Sequence, residues 1–507
     1  MTTSFRSPWL SRSRHCFIGG HRRSSGLICV SAGAVTLAVG SAGLLSGTAL
    51  GGGLAIATLF GLSVIYLIST ERRQWGTIGL GSPLSLMAIF WFVYFGLLGL
   101  GALDDASRNP LLGSNPWAIV FAVCVVFIAL LLVAVGFFLV TRALGLDGHS
   151  VPHGGSLALG GLIVTLLLGW LARLYLFQAG RFGYLSGGTV SSGLGNRLVQ
   201  LGAALLTLSL VILVIAGWAQ TGLSGLRART AKWIFALNIV PLGLTAVASG
   251  LKGQLITDLV PAGVAFLMLR GRVPWRAVAV AVTYLAVILP GVQIYRDDLN
   301  SGAIAPEDRT GVVNATINAT SRVLFGWVGA HPSDYIGGGL WKHLTREYSG
   351  MSRNLAIIIH RTPSEIPHLG NSRLVSEPLF FLPGDLIGRD DFNVYVYTNT
   401  TYLKGPETSA SPPTQPGDFY MSGGWSTVIV GQFVVGLFSG LIWRLLVIRR
   451  KSAAAIAVYA VLAGTFVSAG VEWGTLSRSM LQAAVVLVPV SRLLIRPPPI
   501  ALQEPVG

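Results

Sequence analysis

The sequence predicts an all-α integral membrane protein: a polytopic bundle of about twelve transmembrane helices, N-in and C-in, with one large extracytoplasmic loop between helices 9 and 10. Three observations predict it. Hydrophobic residues make up 52% of the 507 and charged residues only 11%, with a mean hydropathy of +0.66, whereas soluble domains carry charge on roughly a quarter of positions. Apolar runs of about 20 residues, the length that crosses ~30 Å of hydrocarbon, recur along the chain. Lys and Arg gather on alternate connections between those runs, as short cytoplasmic loops require.

The order along the chain follows from these runs. A basic tail over 1–25 carries Arg6, Arg12, Arg14, Arg22 and Arg23. The apolar run after it is long for a signal peptide and lacks a clear small-x-small cleavage site, so it reads as an uncleaved first span. Helices 1–9 occupy 26–295, with runs near 27–45, 50–69, 83–103, 117–141, 156–177, 198–219, 233–251, 254–269 and 277–294. The loop covers 296–424. Helices 10–12 follow within 425–496, near 425–448, 453–471 and 480–496, and 497–507 is a cytoplasmic tail.

Charge tests the count. Starting inside, the predicted cytoplasmic segments hold 20 basic residues and the short outer connections six, of the 36 in the chain. The large loop holds 10 basic residues and 13 of the 20 acidic ones. The formal charge of +16 is therefore mainly a topology signal, and nucleic acid is not an expected partner. Cys16, Cys29 and Cys124 lie in the tail or in apolar runs, so no disulfide framework is expected.

The loop has mixed texture. Residues 312–328 and 355–359 are apolar enough for amphipathic or surface-lying helices. The stretch 379–402 carries β-branched and aromatic residues around Pro383, Gly384 and Gly388, and predicts irregular structure with short strands. GPETSASPPTQPG at 405–417 reads as a flexible connection too rich in Pro, Ser and Thr to pack.

Several residues are placed for chemistry on a phosphate. Arg173 falls within the outer end of the fifth span and Arg181 just beyond it. Either snorkels to the interface or meets an anion, and a guanidinium can hold two phosphate oxygens at headgroup depth. Ser249–Gln254 forms an outer turn in which Lys252 supplies charge, with Asp258 a turn further on. Asp258 is a functional candidate as an intramembrane acid, or a polar cap bonded to Gln254. In the loop, Arg346, Arg353, His360, Arg361, His368 and Arg373 form a basic, imidazole-bearing stretch. Histidine suits a base at neutral pH and arginine a diphosphate leaving group, although most lone histidines are structural. The pairs Asp104-Asp105, Asp297-Asp298 and Asp390-Asp391 lack an evident third ligand, so no metal site and no cofactor are expected. Walker, dinucleotide, HExxH and GxSxG motifs are absent from the sequence.

From Met351 onward the chain resembles the C-terminal third of bacterial O-antigen and exopolysaccharide repeat-unit polymerases (Wzy-type). The resemblance rests on Ser352-Arg353-Asn354, Pro363, Leu369-Gly370, the run FFLPGDLIGRDDFN from Phe380 to Asn393, and GDFYMSGGWSTVIVGQFVVGLFSG from Gly417. The outer SGLKG resembles the family's small-residue turn with a basic residue. Where the family pattern has a basic residue and a proline-lysine pair after FFLP, this chain has Gly384-Asp385 and Arg389-Asp390.

The resemblance implies a multi-pass protein of the cytoplasmic membrane that polymerises undecaprenyl-diphosphate-linked oligosaccharide repeat units on the outer face. Membrane lipid, a chain-length regulator and a flippase would be its partners. It gives Arg173, Arg181, Lys252, Arg353, Arg361 and Arg373 the diphosphate-binding role, and His360 or Asp418 the catalytic base. A glycan ligase of similar layout and a secondary transporter are the competing expectations.

Overall fold

In the computed structural model the described residues are 47–143, 155–178, 194–218, 226–249, 252–273, 275–300, 313–318, 321, 341–378, 392–405, 411–449, 452–468 and 471–496. They are mostly helical, 86%. The first predicted span, both terminal tails, Arg181, and the FFLPGDLIGRDD run at 380–391 lie outside them.

Helices fall on the apolar runs predicted from 50 onward, and others lie within the stretch read as a loop. They are α1 (Ala49–Trp75), α2 (Pro83–Trp91), α3 (Trp117–Ala143), α4 (Leu159–Gln178), α5 (Leu194–Trp218), α6 (Ala228–Ser249), α7 (Lys252–Arg270) and α8 (Trp275–Asn300). After these come α9 (Trp341–Arg361), α10 (Ser372–Ser376), α11 (Val394–Tyr397), α12 (Gln415–Ile442), α13 (Ala453–Val467), α14 (Trp473–Gln482) and α15 (Val488–Leu494). Among the described residues, seven helices are long and apolar enough to cross a membrane. The chain is thus an all-α membrane protein. At 15 residues α13 falls short of a full span.

Local sequence sets the helix starts. Thr48 caps α1 by accepting from Gly51 N–H at 3.1 Å, and Ser82 caps α2, with Pro83 at its first position, by accepting from Ser85 N–H at 3.1 Å. Two two-residue strands, β1 (Ser156–Leu157) and β2 (Ile495–Arg496), pair antiparallel and tie the entry of α4 to the end of α15.

The most extensive packing is between α3 and α12. Glycines make it possible. A Cβ on Gly136 would overlap the Phe433 carbonyl, and one on Gly436 the Val133 carbonyl, so these backbones touch directly. This is the small-residue packing by which helices associate in lipid, where burial supplies little drive.

Two expectations for the loop are corrected and one is narrowed. Residues 355–359, read as an amphipathic or surface-lying helix, belong to the amphipathic α9, whose apolar side at 355–358 is buried where α9 packs against α3, α12 and the turn at Gly99–Gly101. The described part of 379–402 is helical rather than stranded, with α11 running on into a π turn at Thr398–Tyr402. The end of the flexible connection is ordered and packed. Thr414 and Gln415 are buried, and α12 begins ten residues before the predicted span.

That early start has a physical cause. Gly423 (φ −164°) and Gly424 (φ +69°, ψ −151°) leave the helical region and break α12 into two segments. The break releases carbonyls from the helical ladder, and the loop takes two of them. Leu369 N–H donates to Met421 O and Gly370 N–H to Ser422 O, each at 2.9 Å. Thr427 also donates to Asn371 Oδ1 at 3.0 Å. The loop is therefore hydrogen-bonded onto a broken membrane helix.

Candidate functional site

The first segment of α12 carries Asp418, which is fully buried. Arg373, from α10, donates to Asp418, to Glu377 and, at 2.9 Å, to the Ser422 hydroxyl. Its guanidinium also lies 5.5 Å over the Phe392 ring. The backbone N–H of Trp473 donates to the second Asp418 oxygen at 3.0 Å, and the Trp473 indole to Leu374 O at 2.8 Å. Both oxygens of Asp418 are thus engaged from two other elements.

A third carboxylate stands alongside. Glu472, 2% exposed, caps α14 by accepting from Thr475 N–H at 3.0 Å. It also accepts from Arg478 at 3.3 Å and from the Tyr395 hydroxyl. The cluster therefore gathers three buried carboxylates against two guanidinium groups. Ionised throughout, it would bury one unbalanced negative charge, which low polarity penalises heavily. Glu377 is where the imbalance falls. Burial first, and the Asp418 charge second, push its carboxyl up to about 8, and its Oε2 has no hydrogen-bond partner. Burial, the Glu472 charge and the hydrogen bond to Glu472 hold the Tyr395 phenol well above its ordinary value. Burial opposes the charged form of Arg373, but Asp418 and Glu377 outweigh it and raise its value.

The other predicted residues divide between structural and open positions. Arg361 donates to Glu365 at 2.8 Å and to the carbonyls of Thr401 (3.0 Å) and Tyr402 (2.7 Å), so it pins α9 to the turn after α11. Arg353 is partly exposed on α9 and makes no ion pair or hydrogen bond with the described residues. Its neighbours are turned inward. Ser352 sits against Gly99, and Asn354 donates to Pro412 O at 3.1 Å. His360 is exposed, seven residues along the same helix. That spacing is close to two turns, so Arg353 and His360 share a face about 10.5 Å apart along the axis. His368 stands over the break, its ring 6.3 Å from that of Tyr420.

Arg173 lies elsewhere, inside the helix bundle. It meets Asp258 of α7 through Nη2, at 2.8 and 2.7 Å to the two carboxylate oxygens, and donates to Thr245 at 3.2 Å from Nη1. Both partners are buried, 4% and 5% exposed. The Trp170 ring is 5.7 Å from the guanidinium, and the Trp170 indole donates to Asn238 at 2.7 Å. Asp258 is therefore engaged by Arg173. Lys252 opens α7.

Sequence reasoning missed Glu377, Tyr395, Glu472 and the Trp473 N–H. The acids stood alone among apolar neighbours, without the doubled-carboxylate spacing that drew attention elsewhere. The available signal was burial itself, since Glu472 precedes Trp473-Gly474 in a stretch expected to border a span. No protein-family model, no curated protein and no solved structure matches this chain.

Proposed function

We propose that this chain polymerises lipid-diphosphate-linked oligosaccharide repeat units at the outer face of the cytoplasmic membrane. One observation carries the reading: a long loop is hydrogen-bonded onto the broken start of a membrane helix, and its buried helix α9 presents Arg353 and His360 on one face. An unengaged guanidinium beside a membrane bundle suits a lipid diphosphate, which it can hold by two oxygens.

In the reaction, an acceptor hydroxyl oxygen bonds to the anomeric carbon of the donor glycan. The bond from that carbon to the diphosphate oxygen breaks, and its electron pair leaves with the diphosphate. Arg353 stabilises the departing charge, and His360 takes the hydroxyl proton. Asp418, already engaged at both oxygens, acts with Arg373 to hold the loop in place. Arg361 has the same kind of role.

The test is made in cells of the producing organism. Arg353→Ala and His360→Ala are expected to stop polymer growth, with single lipid-linked repeat units accumulating by mass spectrometry while the protein remains in the membrane. Polymer of unchanged length and yield in both variants would overturn the reading.

A secondary transporter is the second reading, favoured by the glycine break in α12 together with the buried Arg173–Asp258 pair, because transporters build sites from discontinuous helices and paired intramembrane charges. Solute uptake by proteoliposomes, with surface glycan unaffected by deletion of the gene, would favour it over the polymerase.

A further inference from the structure

A further polar cluster lies around the end of α1. Glu71 is fully buried there, and neither carboxylate oxygen has a hydrogen-bond partner of acceptable geometry, although the Ser82 hydroxyl lies beside it. Ser85, whose N–H is capped by Ser82, is fully buried with its own hydroxyl unpartnered. Trp443, just past α12, is also fully buried, and its indole N–H has no acceptor. Ring contacts close the group: Trp75 to Trp443 at 6.4 Å and Trp443 to Tyr459 at 5.2 Å. The Tyr459 hydroxyl is committed to Gly81 O.

Buried polar groups in native proteins are nearly always satisfied, and a carboxylate with no partner is the costliest exception. Among the described residues no cation makes a salt bridge with Glu71. Arg72 and Arg73 point to the exterior, and Arg142 is exposed over the Phe138 ring and acts only through distance. Tyr94, Cys124, Arg444 and Tyr459 are further charged or titratable groups on the elements around α1. The unmet demand is specific. Glu71 calls for positive charge or donated hydrogens; the Ser82 hydroxyl stands beside it, and the unpartnered Ser85 hydroxyl lies in the helix turn that Ser82 caps. The Trp443 N–H calls for an acceptor, which a bare cation does not provide and water does.

We propose that Glu71, Ser82, Ser85 and Trp443 line a buried, hydrated site that takes one positive charge, an alkali-metal cation or a proton carried with water. Glu71 supplies the charge that selects a cation, the serines supply neutral oxygens, and Trp443 orients the water. The site is independent of the polymerase reading.

Two titrations of the purified full chain in detergent test it. Sodium chloride replaces choline chloride at fixed pH in one, and pH is varied in choline chloride in the other. Indole emission is followed in both, because Trp75 and Trp443 pack around the site. A change in either titration that is lost in Glu71→Gln supports the site, and the titration that shows it identifies the ion. Ser85→Ala is expected to weaken the midpoint about tenfold, the value of one hydrogen bond of roughly 1.4 kcal/mol. Trp443→Phe keeps the carboxylate, so it should still bind sodium-22 or take up protons on mixing, with the optical signal reduced. An unchanged signal in wild type in both titrations overturns the proposal. So does a Glu71→Gln chain that titrates or binds as wild type does.

Discussion

The two buried ionic sites of the helix bundle and the loop are built on different balances. Arg173 and Asp258 form a closed pair, one cation against one anion, each bidentate or bonded to threonine. The cluster at the break in α12 sets Asp418, Glu377 and Glu472 against Arg373 and Arg478. The first site is neutral by itself. The second reaches neutrality only with a proton, and it joins loop elements α10 and α11 to membrane helices. A closed pair is balanced by its own two charges, whereas an open cluster makes the loop's attachment depend on a further charge or proton.

The largest effect is expected where the imbalance is worst. Arg373→Met removes the cation that serves both Asp418 and Glu377 and leaves three carboxylates facing Arg478. The loss should reach the upper end of the roughly 3–5 kcal/mol that breaking a buried pair costs. Thermal unfolding in detergent checks it. Adding Asp418→Leu should recover only part of the loss, because Glu377 and Glu472 remain.

Asp258→Ala should also cost about 3–5 kcal/mol, since it strands a buried guanidinium. Here the double variant Arg173→Met with Asp258→Leu should regain wild-type stability, because the pair has no third charge. Failure of that rescue would show that the two sites are alike and that the comparison is mistaken.

The sequence read the bundle well and the sites unevenly. Among the described residues, seven of the eleven runs predicted from 50 onward carry helices long and apolar enough to span, because lipid exposure forces apolar runs of fixed length. The runs at 254–269, 277–294, 453–471 and 480–496 carry helices that are not among those seven. The break at Gly423-Gly424 was hidden: SGGW reads as an ordinary loop edge, and only the hydrogen bonds from Leu369 and Gly370 show that helix lies on both sides. Arg173 and Asp258 were both singled out, yet their pairing spans 85 positions and no local pattern encodes it. Glu71 was concealed by Arg72 and Arg73, whose charges made the segment look like a solvated helix end. Local periodicity reports which face is apolar. It does not report which distant charge arrives to meet a buried one.

The pH response separates the sites without disturbing their packing. The carboxyl of Glu377 is raised from 4.5 to about 8, so the folded chain holds a proton there that the unfolded chain has released. Stability from this group is fully present below about 4.5, falls as pH rises through the window, and is gone above about 8. Glu377→Gln should flatten the decline of melting temperature between pH 5 and 8 relative to wild type. Asp258→Asn should leave that decline in place. An identical slope in wild type and Glu377→Gln would remove the proton from the cluster.

The smallest change tests whether the break itself links the cluster to the loop. Alanine at Gly424 must adopt a positive-φ conformation with ψ −151° that is essentially confined to glycine, at about 1–3 kcal/mol, and its Cβ would press on His368 at 3.2 Å. The strain is relieved by straightening α12, which would draw the Met421 and Ser422 carbonyls away from Leu369 and Gly370 and shift Ser422 from Arg373. Gly424→Ala should therefore couple to Arg373→Met by more than the ~0.5 kcal/mol within which independent sites add. With Asp258→Ala it should simply add. Amide exchange at Leu369 and Gly370 should quicken in Gly424→Ala while exchange in α4 and α7 stays as in wild type. Equal coupling to both ionic sites would mean that the break transmits strain through the whole bundle instead of holding the loop alone.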